Sequence, residues 1–102
     1  MEMLMETNEK LEHEIQDLKP TEFVALTKLY TGKDFPFNSS TLRDIMRELG
    51  CSKPTATRHL ANLKEKNLIK EVRDFIVFYY PVADQRKANM IRKAIFIRLG
   101  IL

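Results

Sequence analysis

At 102 residues with 44% apolar content, the chain is long enough for one domain around one core and too short for two ordinary domains. The formal net charge is +3, but residues 1–19 hold six acids and two bases, so the basic charge belongs to residues 20–102. A single cysteine excludes an internal disulfide and a zinc site of paired thiolates, and the absence of a signal-like or membrane-spanning apolar run predicts a cytoplasmic protein.

The first predicted element is an amphipathic helix over residues 1–19. The residues of its mostly apolar stripe recur three and four positions apart, as in a short heptad pattern. Asn8 stands at a core position of this pattern, where it would fix the register of the helix pairing at a cost in stability. Because so few heptads are marginal alone, the stripe is expected to pack on the chain's own C-terminal helix or on that of a partner. The stripe consists of Met1, Leu4, Asn8, Leu11, Ile15 and Leu18.

A second helix is predicted from Pro20 to Tyr30, with Gly32 just past its end. Pro20 suits a first turn, where a missing N–H is no loss. The loop that follows carries two aromatic residues, Phe35 and Phe37, and both are expected to fold back on the core.

Two helices joined by a short turn come next. Ser39 or Ser40 is expected to cap the first, which is about ten residues long and ends at Gly50. Ser52 is expected to cap the second, with Pro54 in its first turn.

The second of these helices is predicted to bury one face and expose the other. On a helical wheel, Ala56, Leu60 and Leu63 share one side. The opposite side holds Pro54, Arg58, Ala61 and Glu65, flanked by Thr55, Thr57 and Asn62. Hydroxyl groups and an arginine therefore face outward in the first turns of this helix.

A β-hairpin is predicted after Asn67, which can take the left-handed conformation that usually requires glycine. Its strands cover residues 68–72 and 75–80, which are rich in β-branched and aromatic residues. The pair Arg73-Asp74 between them permits a tight two-residue turn, although no glycine supplies a primed turn.

The last predicted element is a helix from Gln85 to about Leu99, capped by Asp84. Its apolar side is widened by Met90 and Ile97. Such a wide apolar band indicates burial on more than one partner.

The order of these elements resembles a winged helix-turn-helix domain. The segment TLRDIMRELGCSKPTATRHLANLKEKNLIKEVRD is similar to the core of the MarR, ArsR and TrmB groups of prokaryotic transcription regulators. Those groups carry a helix ending in Leu-Gly, then Ser-x-x-Thr-x-Thr/Ser-Arg-x-Leu-x-x-Leu, then a Gly-Leu-Ile type exit into the wing. Asn67 replaces their usual glycine, and the wing tip is shorter than theirs. The matching residues are Leu49, Gly50, Ser52, Thr55, Thr57, Arg58, Leu60, Leu63, Leu68 and Ile69.

The resemblance implies a mainly α fold with a small β-hairpin, in which residues 20–82 form a winged helix-turn-helix DNA-binding domain. The additional N- and C-terminal helices, at residues 1–19 and 83–102, would serve dimerisation. It also implies a homodimeric regulator, most simply a repressor, whose helix at residues 53–66 enters the major groove of double-stranded DNA.

The DNA-contacting residues follow from the wheel and the resemblance together. Arg58 is the candidate for a bidentate contact to guanine, with Thr55 and Thr57 beside it and Asn62 further along. The starts of the two helices offer N–H groups and positive dipole ends to phosphates. Phosphate candidates there are Ser40, Thr41, Arg43, Ser52 and Lys53, and Lys70 and Arg73 of the wing are candidates for the backbone or the minor groove.

Other chemistry finds little support in the sequence. One cysteine and two distant histidines lack the ligand set of a metal sensor, and no nucleophile–base pair or glycine-rich phosphate loop is present. No cofactor, metal or enzymatic activity is therefore expected. His59 is expected to pack at the edge of the apolar face, and His13 to face solvent. Oxidation of Cys51 could obstruct DNA binding, although an inert residue filling the turn is the simpler interpretation.

Two alternatives remain open. The first is a protein interaction module that uses the winged helix as a scaffold and binds no nucleic acid. Clustering of five bases on one surface would favour DNA over this module, and these are Arg43, Lys53, Arg58, Lys70 and Arg73. The second is binding of single strands or RNA, with stacking on the hairpin aromatics Phe75, Phe78, Tyr79 and Tyr80, which are interpreted more simply as hairpin core.

Overall fold

A computed structural model describes residues 2–102, with side chains from residue 9 onward, and over this part the chain forms five helices and a three-stranded antiparallel sheet. Met1 and the side chains of Leu4 and Asn8, predicted for the first stripe, lie outside the described residues. The elements are α1 (Glu2–Gln16), α2 (Pro20–Tyr30), β1 (Ser40–Thr41), α3 (Leu42–Leu49), α4 (Lys53–Glu65), β2 (Ile69–Arg73), β3 (Val77–Pro81) and α5 (Gln85–Arg98). The mainly α winged helix fold is confirmed.

The first and last helices pack against each other within the chain. Leu11, Ile15 and Leu18 are buried in the common core. Arg98 Nη1 donates to the carbonyl oxygen of Ile15 at 2.6 Å, and the Arg98 guanidinium lies 4.1 Å from the ring centroid of Phe23. The described part of the predicted stripe therefore packs on the chain's own C-terminal helix, which was one of the two possibilities.

Tyr30 joins α2 to the sheet region. Its hydroxyl donates to Leu68 O at 2.7 Å and accepts from Val82 N at 2.9 Å. Burial, only partly offset by the hydrogen bond from Val82, raises the pKa of this phenol well above its ordinary value, so the hydroxyl stays protonated. The Phe35 ring packs against Tyr30 at 5.8 Å between centroids, as predicted. The prediction for Phe37 is wrong: its N–H closes a tight turn to Asp34 O, and its ring is 84% exposed.

The sheet contains a strand that the sequence did not indicate. β1 has two residues, and Ser40 pairs with Tyr79 of β3 in the strand order β1-β3-β2. The predicted cap at Ser39 or Ser40 is therefore wrong, because Ser40 is buried in the sheet. Thr41 caps α3 instead: its side chain accepts from Asp44 N at 3.2 Å, and Asp44 accepts from Thr41 N at 3.0 Å. The resulting helix has eight residues rather than about ten.

The hairpin loop is longer than predicted. Arg73 pairs with Val77, so three residues, Asp74, Phe75 and Ile76, form the loop in place of the predicted two-residue turn. A two-residue primed turn needs residues that tolerate positive φ, and the chain has no glycine here. The third residue of the loop removes that requirement.

The remaining helix boundaries follow their predicted caps. α2 begins at Pro20 and ends with Thr31 as its C-cap, directly before Gly32. Asp84 caps α5 by accepting hydrogen bonds from Arg86 N at 2.9 Å and Lys87 N at 3.3 Å. No helix within residues 2–102 has the length and apolar character needed to cross a membrane.

Candidate nucleic-acid interface

α3 and α4 are joined by the short turn that the sequence predicted. Gly50 adopts the left-handed conformation with φ +62°, and its N–H donates to Met46 O. Cys51 N also donates to Met46 O, at 3.2 Å, and Ser52 then leads into α4 with an extended backbone. Glycine takes this conformation without the Cβ clash of other residues, so the chain can turn directly from α3 into the segment that leads to α4.

α4 has one buried face and one exposed face, as the wheel predicted. Ala56, Leu60 and Leu63 are at most 2% exposed. Thr57 and Arg58 are exposed on the other side. Three predicted contacts flank or precede them: Lys53 and Ser52 are exposed, and Thr55 is half-buried.

The first turn of α4 is open to an anion. The Ser52 hydroxyl donates to Thr55 Oγ1 at 3.2 Å and makes no capping bond to a backbone N–H. The turn contains no acidic residue, and Lys53 adds a positive charge to it. Free N–H groups at a helix N-terminus carry a partial positive charge that favours phosphate.

The first turn of α3, unlike that of α4, is not open to a phosphate. Thr41 is committed to the capping box with Asp44, and Ser40 is buried. The bond from Thr41 N and other interactions outweigh burial and hold the pKa of Asp44 below its ordinary value, so a carboxylate occupies the site predicted for phosphate. We therefore withdraw Ser40 and Thr41 as candidate contacts. Arg43, the second residue of α3, is exposed and remains a candidate.

A buried polar cluster beneath α4 was missed by sequence reasoning. Glu22 of α2 is 3% exposed and accepts from Asn62 Nδ2 at 3.0 Å and from Lys19 N at 3.1 Å. His59 is also buried, as predicted, with Nε2 at 3.1 Å from Thr21 Oγ1 and Nδ1 at 3.9 Å from Glu22. Glu22 is the N3 residue of α2 and accepts from the backbone N–H of the N-cap, Lys19, but the Ser or Thr that marks a capping box in a sequence is absent at Lys19, so no local signal indicated this role.

Asn62 faces this cluster rather than the exposed face of α4. Its amide is half-buried and already donates to the Glu22 carboxylate. We therefore withdraw Asn62 as a candidate base contact, since reaching DNA would leave a buried carboxylate without its donor.

Glu22 remains ionised in this setting. Burial is the largest single influence and raises the pKa of its carboxyl, but hydrogen bonds from Asn62 and Lys19 N oppose it. The charges of Lys66 and His59 act in the same direction, and the pKa lies below its ordinary value. An ionised acceptor strengthens the bond that holds α4 on α2.

The wing, formed by β2 and β3, runs along α4. The carboxylate of Glu71 lies 3.2 Å from Lys64 Nζ and 2.6 Å from Arg73 Nε. Thr57, two turns before Lys64, borders the same shallow groove as Arg73. β2 therefore runs back from the C-terminal end of α4 toward its N-terminal half, and Arg73 lies beside the exposed face of that helix.

Lys70 does not share this surface. Side chains alternate between the faces of a strand, so Lys70 projects from the face opposite to Glu71 and Arg73. It borders one groove with Phe37 and Tyr80 and a second with Lys64 and Glu71, but not the groove that holds Thr57 and Arg73. The structure does not bring Lys70 together with the other predicted bases.

The other bases are available to a partner. Lys53 and Arg58 are exposed on α4, and Arg43 borders a groove with Ile76 near the tip of the wing. None of the three forms an ion pair with another side chain that the structure describes, whereas Arg73 is paired with Glu71. The two exposed bases Lys53 and Arg58, in the first turns of α4 after its open start, favour an anionic partner over the interaction-module alternative.

The four aromatic residues of the hairpin occupy different environments. Tyr79 is buried, while Phe78 and Tyr80 are half-buried with ring centroids 6.4 Å apart. Phe75 is fully exposed at the tip of the wing. The hairpin-core interpretation therefore holds for Tyr79 and is wrong for Phe75.

No group of three or more His, Cys, Asp or Glu residues in the described part of the chain could hold a metal ion.

Comparison with known proteins agrees with this geometry. A family model described as the MarR family matches residues 16–74, from the last residue of α1 to the first residue after β2. No curated protein sequence matches the chain.

Several solved structures share the fold. MepR, a transcription regulator of the Staphylococcus aureus multidrug efflux pump MepA, is 19% identical with a TM-score of 0.66 over 97% of this chain and 73% of that one. A S. aureus MepR–DNA complex is 20% identical, with a TM-score of 0.65 over 97% of this chain and 81% of that one. Reduced HlyU from Vibrio cholerae is 18% identical, with a TM-score of 0.66 over 99% and 98% of the two chains.

Proposed function

The chain belongs to the MarR family and has the winged helix-turn-helix fold of its DNA-binding transcription regulators, and from this premise we propose that it binds specific double-stranded DNA sites as a homodimer. The bound dimer represses transcription by occupying a promoter. The protein acts in the cytoplasm. Membership in a family of regulators also confirms the prediction that the chain is not an enzyme.

The exposed face of α4 is the observation that carries this proposal. Its buried face is fixed by Ala56, Leu60 and Leu63, and by the bond from Asn62 to Glu22 on the neighbouring side. On the outward face, Arg58 is exposed and forms no ion pair with another side chain among those described from residue 9 onward. A rigid helix of this diameter fits the major groove, which is about 12 Å wide.

Specific roles follow from the chemistry of each side chain. Arg58 is placed to donate both arms of its guanidinium to the acceptor pair of guanine. Thr57 and Thr55 can contact a base edge, a thymine methyl or a phosphate. Ser52, Lys53 and the open first turn suit a phosphate, which would fix the register of α4 on the duplex.

The wing and α3 contribute further positive charge. Arg73 lies beside the groove between β2 and α4, and Arg43 lies near the wing tip. Contacts from these bases to the DNA backbone release counterions, so the affinity should fall steeply as salt increases.

Dimerisation is assigned to residues 1–19 and 83–102. Leu99, Ile101 and Leu102 are exposed at the end of the chain, and Phe96 and Ile97 of α5 are half-buried. A second copy of the chain would cover this apolar surface. Two copies of α4 would then meet half-sites about one helical turn, or about 34 Å, apart on a pseudo-palindrome.

The test is selection of duplexes by the full-length protein from a random-sequence pool, followed by titration of a selected duplex at two salt concentrations. We expect a pseudo-palindromic site, a two-protomer complex and an affinity that falls with salt. Equal binding to single-stranded competitor, or no enrichment of any duplex, would contradict the proposal. The solution mass of the free protein, measured by light scattering, tests the homodimer separately.

A further inference from the structure

The tip of the wing exposes two large apolar side chains next to each other. Phe75 is fully exposed, and Ile76 is 55% exposed. The last paired residues of the hairpin are Arg73 and Val77, so both side chains belong to the three-residue loop. Neither side chain is buried in the hairpin, so packing does not explain why these two positions are apolar.

The direction of the wing sets where this tip lies. Because Glu71 pairs with Lys64 and Arg73 borders the same groove as Thr57, β2 advances along α4 toward the end that carries Arg58. The tip continues from Arg73 in that direction.

Positive charge flanks the tip on both sides. Ile76 shares a groove with Arg43 of α3, and Arg73 precedes the loop directly. The apolar tip therefore lies between two exposed arginines, at the border of the surface to which DNA binding is assigned.

We propose that Phe75 is an apolar wedge, which enters the minor groove beside the major groove occupied by α4 and partly unstacks one base-pair step. This inference rests on the proposed DNA binding and adds a residue and a mode of recognition to it. The minor groove is about 6 Å wide and presents few distinguishing groups, so a hairpin tip there reads shape rather than hydrogen bonds. Arg43 and Arg73 would hold the phosphates on either side of the wedge, Arg73 through its terminal amino groups, because its Nε already donates to Glu71.

A phenyl ring makes no directional hydrogen bond to a base edge, so its selectivity must come from the ease of deforming the step it enters. Pyrimidine–purine steps, TA and CA/TG, unstack most readily. The wedge therefore gives the protein a preference for such a step at a fixed distance from the bases read by Arg58, and it bends the duplex toward the major groove.

The experiment uses the duplex selected by the wild-type protein, with 2-aminopurine substituted at single positions and with donor and acceptor dyes on its ends. Binding of the wild-type protein should raise the 2-aminopurine fluorescence at one step and shorten the end-to-end distance. Phe75→Ala should lose both signals while weakening affinity by no more than about tenfold. Phe75→Leu, a smaller apolar wedge, should retain part of both.

Phe37→Ala is the matched control, because Phe37 is also highly exposed but borders the groove on the opposite face of the sheet. It should give the wild-type signals. Unchanged fluorescence and bend in Phe75→Ala would overturn the wedge and leave the DNA-binding function intact, and would point to Phe75 as a contact for protein instead. Failure of the wild-type protein to bind any duplex would overturn the DNA-binding function and the wedge together.

Discussion

The amide of Asn62 in α4 donates to the carboxylate of Glu22 in α2 over 3.0 Å, beneath the helix assigned to DNA. A charged acceptor in a buried position ties α4 to the domain by a directional bond in addition to its apolar face. The orientation of Arg58 therefore depends on a residue of another helix that is buried beneath α4.

Glu22→Gln should destabilise the protein. The neutral amide is a weaker acceptor than the carboxylate. Its NH2 group replaces one of the two carboxylate oxygens, so either Asn62 Nδ2 or Lys19 N loses its acceptor. We expect a loss of about 1–3 kcal/mol in the free energy of unfolding, measured by urea denaturation. Glu65→Gln, at the exposed end of α4, is the control and should stay within about 0.5 kcal/mol of the wild type. Equal midpoints for the two variants would contradict the role assigned to Glu22.

The same carboxylate makes stability depend on pH. Its pKa in the folded state lies below the ordinary value of 4.5, so its contribution is complete above pH 4.5 and is lost as the pH falls through the folded pKa. Glu71 acts in the same direction, because hydrogen bonds from Arg73 and Lys64 outweigh the effect of burial and lower its pKa.

Urea midpoints measured between neutral pH and pH 3 should therefore fall on the acid side for the wild type. They should fall less steeply for Glu22→Gln, which has no carboxyl to protonate at this position. An acid limb of identical slope in both proteins would show that Glu22 titrates as an ordinary glutamate.

Gly50 should tolerate substitution poorly for a conformational reason alone. Its φ is +62°, and a Cβ added there would meet no atom within 4 Å, so strain in the backbone is the sole cost. Gly50→Ala should destabilise by about 1 kcal/mol, and Gly50→Asn by less. Gly32→Ala is the control, since Gly32 does not adopt positive φ and a Cβ there would lie at an ordinary 3.7 Å from Asn38. A cost for Gly32→Ala equal to that for Gly50→Ala would contradict this account of the turn.

Much of the fold could be predicted because its signals are local. The helical period of Ala56, Leu60 and Leu63 predicted the buried face of α4, and Gly50 and Asn67 predicted two helix ends that adopt positive φ. These features depend on residues a few positions apart, where periodicity and conformational preference act directly.

The missed features depend on residues far apart in the chain. β1 has two residues, too few to show a strand period, and exists because Ser40 pairs with Tyr79. The bond between Asn62 and Glu22 joins residues 40 positions apart. The wheel assigned Asn62 to the border of the exposed face correctly, but its partner, and therefore its role, is set by the packing of α4 on α2.

The measurement that tests the central proposal most directly is the affinity of Arg58→Ala for the selected duplex, beside Lys33→Ala as a control for the loss of an exposed base. Lys33 lies in the loop between α2 and β1, outside the elements assigned to DNA contacts and the segments assigned to dimerisation. We expect Arg58→Ala to lose about 1–3 kcal/mol, which is about 5- to 150-fold in affinity, with relaxed preference at one base pair, while Lys33→Ala binds as the wild type. Unchanged affinity and sequence preference in Arg58→Ala would contradict the assignment of α4 as the helix that reads DNA.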